Sequence, residues 1–573
     1  MKRFGLGFLI GVLFCVLVGF IAVYAAMHFG ERKVTVPATA TLVLHLEGDL
    51  PEQAPVELPL PFLEQRQPMT MLETWQLLRR AAADSRVKAI VVEPRGLEVG
   101  WAKMQELHDD IVAFKKSGKP VYAFLRGASA RDYYVASAAD RIYMTEEDEL
   151  DLKGLAGQLL FVKGTLDKIG VDMQFEHVGK YKDAPDMFTR TSPTPETLEV
   201  ENGILDQYYG NLVDTIAQSR KKQAQDIRAL IDNGPFLGGE AKAGGLVDEL
   251  LYEDEVFGKL KDQIKVDINK IAEQDYFHAP VSGGEGSTKI AYLVGEGDIT
   301  RGGTYDDNSE NGITATSMVK LMRQVENDSS IKGVIFRIDS PGGDGIASDD
   351  ILHEAKILAS KKPMVISMSD LAASGGYFIA MSGDPIVAYP NTLTGSIGVF
   401  FGKPDVKGLA TKLGVTETTL KRGQFADIDT ILRPMTDAER AKLRREIETF
   451  YKDFVTRVST GRKKPYDQVE PLAQGRVWLG TQAKQNGLVD DLGGIDRAVE
   501  MIKDRAKIPA SEKVALVTYP PKRTVWDLLL NRSDDSVEAA IQKRISALAG
   551  PMPVRALMHG GMLTLMPYMI NIR

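Results

Sequence analysis

The sequence predicts an α/β protein made of two tandem homologous domains, because one pattern occurs twice along its 573 residues. Each copy has a helix and a strand around a shared Asp-Ser pair, a strand after a Lys-Pro pair, and later a Gly-Leu-Val-Asp turn. The matching segments are 77–92 with 321–336, 116–124 with 359–367, and 241–250 with 483–492. Their separation stays at about 242 to 244 residues, so the whole unit is duplicated.

Apolar and amphipathic segments alternate within each copy, which is typical of βαβ units around a parallel sheet. In the second copy, residues 331–338 and 362–368 are short apolar runs that predict buried strands. Residues 315–327 and 347–360 predict the helices between them, and a long charged helix follows later in each copy. These elements justify the α/β fold class.

The glycine- and serine-rich residues 279–288 predict a linker between the two copies. The predicted domains are therefore 40–278 and 289–517, with a separate segment at 1–30 and a tail at 518–573.

Residues 4–29 form an uncharged apolar run behind Lys2 and Arg3. Such a run is long enough to cross the hydrocarbon core, about 30 Å at 1.5 Å per residue. With the two basic residues held inside, the body of the chain would lie outside the membrane. The sequence thus predicts an N-terminal transmembrane anchor within residues 1–30. A cleaved signal peptide ending near Ala25 and Ala26 is the alternative.

Composition excludes several classes of function. The net charge of −8 argues against a nucleic-acid-binding surface. The single cysteine, Cys15, allows no disulfide within one chain, and the seven histidines are scattered, so neither a metal site nor a cofactor is predicted.

Two motifs of the second copy predict the chemistry of a nucleophile. Ser374 stands in "LAASGGYFIA", where two glycines before an apolar run favour a sharp strand-to-helix turn. The "SPGG" turn at 340–343 follows a strand and would present backbone N–H groups at the same sheet edge. Gly375 together with Gly342 or Gly343 would then form an oxyanion hole, and an ordinary turn is the alternative.

The base that would take the proton of Ser374 is less evident. His353, on the predicted helix after the glycine turn, is the best local histidine. A buried, neutral lysine could take the same role, because burial lowers the pKa of an amine.

The motifs "SPGG", "AASGGY" and "TLTGSIGVF" (392–400), in this order and spacing, resemble the signal peptide peptidase A family, also called protease IV. The resemblance covers about residues 40–517 and includes the tandem arrangement of the long Gram-negative form. It implies two tandem ClpP/crotonase-like domains and a serine–lysine dyad. In that family Ser374 would be the nucleophile, Lys182 in "VGKYKDAPDMF" the general base, and Ser396 the residue that orients the lysine. Lys180 is the rival base.

The resemblance also implies the biology of the chain. It would be a homotetramer that degrades signal peptides and other apolar peptides, without a cofactor. The predicted anchor would hold it in the inner (cytoplasmic) membrane, with the catalytic body in the periplasm.

The repeat supports one composite site. At an offset of 243, Arg131 stands opposite Ser374, and at an offset of 244 "GLEV" (96–99) stands opposite the glycine turn. At an offset of 244, Ala426 stands opposite Lys182. Each copy therefore lacks what the other has, the first supplying the base and the second the nucleophile. A crotonase-fold acyl-transfer or hydratase enzyme and a non-catalytic membrane scaffold are the alternative functions.

Overall fold

The computed structural model describes residues 34–55, 68–280, 286–302, 312–522 and 562–566, together with Gly11. The strands of the first copy are β1 Ala40–Gly48, β2 Val87–Leu97, β3 Val121–Leu125, β4 Ala128–Ser129, β5 Arg141–Met144, β6 Glu149–Asp151, β7 Asp172–Val178, β8 Phe236–Leu237, β9 Glu249–Leu250 and β10 Asn269–Ala272. Its helices are α1 Met71–Ala83, α2 Trp101–Lys115, α3 Ala130–Ala136, α4 Lys163–Ile169, α5 Asp186–Thr189, α6 Pro195–Arg220, α7 Ala224–Ile231, α8 Gly238–Ala243, α9 Glu253–Ile264 and α10 Glu273–His278.

The second copy repeats the alternation of strands and helices but not every element. Its strands, with one from the C-terminal tail, are β11 Thr288–Glu296, β12 Asp298–Thr300, β13 Gly312–Thr314, β14 Ile331–Ser340, β15 Gly342–Asp344, β16 Met364–Ala373, β17 Ile386–Ala388, β18 Leu393–Gly395, β19 Val399–Asp405, β20 Val477–Leu479, β21 Asp491–Leu492, β22 Val514–Tyr519 and β23 Met562–Leu565. Its helices are α11 Ala315–Asn327, α12 Gly345–Lys361, α13 Gly375–Ile379, α14 Lys407–Lys412, α15 Asp437–Gly461, α16 Tyr466–Val469, a 3₁₀ turn Glu470–Leu472, α17 Gly480–Asn486 and α18 Ile495–Arg505.

Each copy is built on a largely parallel sheet. The first has the order β10-β1-β2-β3-β5-β9, and the second has the order β20-β18-β16-β14-β11-β22, with β17 beside β16. The middle residues of the central strands β2, β14 and β16 are buried on both faces, which explains the apolar runs within their sequences. The mixed α/β class and the duplication predicted from the sequence are confirmed, and predicted helix 315–327 coincides with α11.

The long charged helices α6 and α15 begin at matching caps. Thr194 and Thr436 accept a hydrogen bond from the third residue of each helix, and Thr436 forms a capping box with Glu439. One face of each helix is buried against its own copy, through residues such as Leu212 in α6 and Phe454 in α15.

A third sheet, with the order β13-β12-β15-β23-β19-β7, joins the two copies. Strand β7 of the first copy pairs antiparallel with β19 of the second over seven residues, from Val178 opposite Val399 to Asp172 opposite Asp405. This pairing carries the chain that follows β7 into the second copy.

Buried charge also holds the copies together. Arg337 on β14 is fully buried and donates to the carboxylates of Glu52 and Glu106 from the first copy, at 2.8 and 2.6 Å. Asp370 on β16 accepts hydrogen bonds from Gly100, Ala102 and Lys103 at the start of α2. Removing one partner from such a buried network leaves an uncompensated charge, so the network fixes how the copies dock.

The predicted localisation, an inner-membrane protein with its body in the periplasm, is wrong, because the helices that the structure describes contradict it. Over the ranges described above, no helix is both long and apolar enough to cross a bilayer. Helices α6 and α15 have the length but carry many charged side chains. The run 4–29, on which that prediction rested, lies outside the described residues apart from Gly11.

The predicted domain boundaries stay predictions. Within the predicted linker 279–288, residues 281–285 lie outside the described part, and β11 begins at Thr288. Of the predicted tail 518–573, only residues 518–522 and 562–566 are described, and β22 ends in the first of these.

Candidate active site

Lys182 comes from the first copy but is inserted into the second. After β7 ends, the Tyr181 N–H donates to the carbonyl of Gln474 at 2.9 Å, which fixes the chain beside the second copy. Lys182 itself is fully buried. The pairing of β7 with β19 and this hydrogen bond together determine where the lysine side chain enters.

Two glycines of the second copy make room for Lys182. A Cβ at Gly475 would lie 2.6 Å from the Lys182 Cβ, and one at Gly398 would lie 3.0 Å from its Cδ. Gly475 also has φ of +76°, which side chains rarely adopt. Any larger residue at Gly475 would push the lysine out of place.

Ser374 occupies the sharp turn that its sequence predicts. It lies between β16 and α13 with φ 54° and ψ −113°, a strained conformation for a residue other than glycine. Its N–H donates to the Gly395 carbonyl at 2.7 Å, and a Cβ at Gly376 would meet the Ser340 carbonyl oxygen at 2.6 Å. The turn is therefore held by β18 on one side and by the Ser340 turn on the other.

Lys182, Ser374 and Ser396 meet in one buried cluster. The Lys182 Nζ lies 2.9 Å from the Ser374 Oγ, 3.0 Å from the Ser396 Oγ and 3.2 Å from the Ser396 carbonyl oxygen. All three side chains are fully buried. A neutral amine has two N–H groups and one lone pair. If both N–H groups go to Ser396, the lone pair is left to accept the Ser374 hydroxyl proton.

Burial sets the protonation of this lysine. Removal from water disfavours the ammonium and lowers the pKa of Lys182 to about 7, while the neighbouring Asp183 carboxylate acts in the opposite direction. A substantial fraction of Lys182 is therefore neutral near pH 7, as a general base must be.

The other two candidate bases lie elsewhere. Lys180 is exposed, and its Nζ stands 4.8 Å from the centre of the Tyr181 ring. His353 lines a surface cavity of about 740 Å³ between α11 and α12, and Ser374 is not among the residues of that cavity. In the described ranges, no group of three or more His, Cys, Asp or Glu side chains could hold a metal ion.

The glycine turn lies beside Ser374, as its sequence predicts. The Gly342 N–H donates to the Ser340 Oγ at 3.2 Å, and this hydroxyl donates to the Gly297 carbonyl at 2.7 Å. Gly342 and Gly343 begin β15, next to β12. The assignment of the oxyanion donors to Gly375 and to Gly342 or Gly343 stays a prediction.

The C-terminal strand β23 beside this turn was missed in the sequence. It pairs antiparallel with β15, with Leu565 opposite Gly342, and with β19, with Leu563 opposite Phe400. The Met566 N–H donates to the Pro341 carbonyl at 2.8 Å. An extended apolar segment thus lies between the glycine turn and β19, and only the apolar run in the tail could have suggested it.

The first copy has a turn in the position of the glycine turn, but the backbone N–H groups of this turn are already hydrogen-bonded to a side chain. The buried Asp132 carboxylate accepts hydrogen bonds from the Gly96 and Leu97 N–H groups, at 3.1 and 3.0 Å, in the turn that corresponds to the second copy's glycine turn. Ala426, the counterpart of Lys182, is exposed. One constellation of lysine and serine is therefore built from the two copies.

Comparisons with known proteins match both copies of the repeat. The peptidase family S49 profile matches residues 113–267 and 356–509, more than half of the chain. Serine protease SPPA, chloroplastic, of Arabidopsis thaliana is 33% identical over 84% of this chain and 73% of its own. Protease 4 of Salmonella typhi is 31% identical over 83% and 78%, and Protease 4 of Haemophilus influenzae is 28% identical over 95% and 93%.

A solved structure, a point mutant of ClpP1 from Listeria monocytogenes, is 14% identical, covers 37% of this chain and 95% of its own, and has a TM-score of 0.24. That likeness is too weak to support an inference. The two profile matches each fall in one copy of the repeat, and the relatives extend across both copies. The acyl-transfer and scaffold alternatives find no support among them. The chain therefore belongs to peptidase family S49, is a serine protease, and carries the family's region twice.

Proposed function

We propose that this protease cuts peptides with Ser374 as nucleophile and Lys182 as general base, and that its substrates are cleaved signal peptides and other short apolar peptides. The observation that carries the proposal is the 2.9 Å contact between the Lys182 Nζ and the Ser374 Oγ in a fully buried cluster.

The chemistry follows from the positions of these atoms. The Ser374 oxygen attacks the carbonyl carbon of the scissile bond while the neutral Lys182 amine takes its proton. Backbone N–H groups of Gly375 and of the glycine turn stabilise the negative charge that develops on the carbonyl oxygen. The lysine then gives its proton to the leaving amine. A water molecule, activated by the same amine, releases the acyl group from Ser374.

Ser396 would act as a positioning residue. Both of its oxygens lie within hydrogen-bond distance of the Lys182 Nζ. Its φ of 50° is unusual for a serine, so the backbone is held where both oxygens can face the amine. Replacing Ser396 by alanine should lower kcat more than it changes KM, with the pH profile displaced.

The substrate class is supported by the groove beside the dyad. Strands β15 and β19 accept an extended segment between them, and the one seen there is the apolar sequence Met-Leu-Thr-Leu of β23. A peptide bound by strand addition gains main-chain hydrogen bonds that do not depend on its sequence. Signal peptides are rich in apolar residues, as is the segment that forms β23.

The test compares Ser374→Ala, Lys182→Ala and Lys180→Ala on fluorogenic peptides. The first two variants should lose activity, whereas Lys180→Ala, which changes an exposed neighbour on the same segment, should keep most of it. Thermal unfolding shows whether each variant is folded. Appreciable turnover by folded Ser374→Ala or Lys182→Ala would refute the dyad.

A second arm tests the substrate class. Reporters ending in leucine or alanine before the cut should be hydrolysed faster than those ending in lysine or glutamate. A preference for the charged reporters would contradict the proposed signal peptide role while leaving the dyad intact.

A further inference from the structure

A second lysine of the first copy is also buried against the second copy. Lys103, in the first turn of α2, is 4% exposed. Its Nζ lies 2.9 Å from the Oδ2 of Asp339, the last residue before the "SPGG" turn, and 3.8 Å from the Glu296 carboxylate. Lysine is rarely buried this deeply unless its charge is paired. The ion pair of Lys103 with Asp339 therefore ties the end of β14 to the first copy.

Both oxygens of the Asp339 carboxylate have a partner. While Oδ2 faces Lys103, Oδ1 accepts a hydrogen bond from the Leu371 N–H on β16 at 3.0 Å. Leu371 lies three residues before Ser374 in the chain. One carboxylate thus connects α2 of the first copy with the strand that leads to the glycine turn and with the strand that leads to the proposed nucleophile.

These contacts meet at a bulge in β16. The pairing of β14 with β16 shifts between Ile338 and Ser340, so that Asp339 alone lies opposite three residues, 369–371. A bulge bends its strand and changes where the residues after it point. The turn of Ser374 follows this bulge directly. The shape of the bulge therefore affects where the Ser374 hydroxyl lies relative to the glycine turn.

The first turn of α2 contacts the bulge a second time. The Asp370 carboxylate, in the middle of the bulge, accepts hydrogen bonds from the Gly100, Ala102 and Lys103 N–H groups at 2.9, 2.9 and 2.8 Å. A Cβ at Gly100 would lie 2.3 Å from the Asp370 Cγ, so this close approach needs a glycine. The start of α2 thus holds the bulge through its main chain and through the Lys103 side chain.

The glycine turn is joined to the same residue. The Asp339 carbonyl accepts a hydrogen bond from the Gly297 N–H at 2.8 Å. The Ser340 Oγ donates to the Gly297 carbonyl at 2.7 Å and accepts from the Gly342 N–H at 3.2 Å. A displacement of Asp339 would therefore also move the backbone N–H groups of the glycine turn.

We propose that Lys103 and Asp339 are positioning residues, which hold the glycine turn and the turn of Ser374 in the geometry that stabilises the oxyanion. This inference rests on the proposed mechanism. The first copy then contributes to catalysis twice, through the base Lys182 and through Lys103. Because the ion pair acts through the two turns and not on the substrate, its loss should lower kcat and leave KM nearly unchanged.

The first test is Asp339→Asn in the full chain. An amide has one acceptor oxygen and one NH₂ donor, so it cannot accept from both Leu371 and Lys103. The variant should still fold, because Lys103 keeps Glu296 and Asp370 as counter-charges. Its kcat should fall at least about tenfold, with KM within about twofold of wild type. A folded Asp339→Asn with wild-type kcat, or with a loss confined to KM, would overturn the proposal.

A peptide aldehyde gives a second readout of the same variant. Its adduct with Ser374 resembles the tetrahedral intermediate, so the affinity of Asp339→Asn for it should fall by the same factor as kcat/KM. An unchanged affinity would show that the oxyanion geometry does not depend on Asp339.

The second test separates positioning from stability. Lys103→Met should lower both kcat and the unfolding free energy, because the surrounding carboxylates lose their lysine. Adding Asp339→Asn should recover part of the stability and none of the kcat. Lys119→Met is the matched control and should keep wild-type kcat, because Lys119 belongs to the first copy and its Nζ donates only to three carbonyl groups of that copy among the described residues. Recovery of kcat together with stability would show a merely structural role.

The pH profile and one further variant distinguish this inference from the proposed dyad. The pKa of Lys182, about 7, is set by its burial and by Asp183, so the profile of Asp339→Asn should be lowered by one factor at every pH. A displaced profile would mean that Asp339 acts on the base, which would overturn the proposal. Folded and active Ser374→Ala would refute the dyad itself. Inactive Ser374→Ala beside fully active Asp339→Asn would overturn only the positioning role.

Discussion

Replacing Lys182 by methionine should abolish activity and, at neutral pH, make the protein more stable. In the folded state the pKa of this lysine falls from 10.5 to about 7 because the side chain is buried. Each pH unit of that difference corresponds to about 1.4 kcal/mol. Burying this amine therefore costs roughly 5 kcal/mol of unfolding free energy at pH 6 and below.

The sign of the pH dependence follows from proton binding. Between pH 7 and 10.5 the unfolded lysine keeps its proton and the folded one does not, so the unfolded state binds one more proton. The unfolding free energy of the wild type should therefore rise by about 1.4 kcal/mol per pH unit in this window. Methionine has similar length and no charge, so Lys182→Met removes this contribution.

At pH 8 the remaining cost of the lysine is about 3 kcal/mol. Methionine gives up the contacts with Ser374 and Ser396, at about 1 kcal/mol each. Lys182→Met should then be more stable than wild type by about 1 kcal/mol at pH 8 and by more at pH 7. Above about pH 9 the order should reverse.

The assay is urea unfolding of both proteins between pH 6.5 and 10, together with kcat/KM of the wild type from pH 5.5 to 9. The activity should rise about tenfold per pH unit below pH 7 and level off above pH 8, since the neutral amine is the active form. Parallel pH dependences of stability in the two proteins, or a flat activity profile, would show that Lys182 is not a depressed-pKa base.

Three further results are expected. Gly475→Ala should lower kcat at least about a hundredfold, because the added Cβ displaces Lys182. The control Gly118→Ala should keep wild-type activity, because Gly118 has nearly the same φ of +78° but nothing lies within 4 Å of an added Cβ. Equal effects of the two variants would show that a clash with Lys182 is not the cause. Arg337→Met should cost about 3–5 kcal/mol of unfolding free energy, because it removes the ion-pair partner that the buried Glu52 and Glu106 share, and adding Glu52→Gln and Glu106→Gln should restore most of it. Urea unfolding measures both changes, and a single variant as stable as wild type would contradict the role of the network. A chain that ends at Lys522 should show a lower KM for peptides, because β23 no longer occupies the strand position between β15 and β19, and an unchanged KM would mean that substrates bind elsewhere.

The elements could be predicted because they depend on local sequence, and the closeness of Lys182 to Ser374 could be predicted from the repeat and the family motif. Helix α11 and strand β14 follow from their own periodicity, and the sharp turn at Ser374 follows from the two glycines beside it. The placement of Lys182 beside Ser374 came from the family motif and from the complementary loss between the copies, because no local pattern connects residues 192 positions apart.

The contacts that join the copies could not be read from the sequence. Strand β7 pairs with a strand of the other copy, and its counterpart at 416–422 forms no strand in the described chain. The hydrophobic periodicity of the sequence therefore does not predict this pairing. The space for the Lys182 side chain depends on Gly475, which in the sequence cannot be told from any other glycine of a turn. Arg337 is fully buried, although an arginine within a strand is usually expected to face solvent. These roles depend on the docking of one copy against the other, which the sequence of each copy does not specify by itself.

The division of the proposed dyad between the copies also has a consequence for how the protein is made. Lys182 leaves the ribosome well before Ser374, and domains fold in that order during synthesis. The half that is completed first carries only the proposed base, and in its turn at 96–99 the Asp132 carboxylate already accepts hydrogen bonds from the backbone N–H groups. The second half carries a serine that has no amine beside it until the first half docks. With the proposed dyad, a growing chain has no complete active site, and proteolysis of the chain itself or of its neighbours can begin only when synthesis and docking are complete.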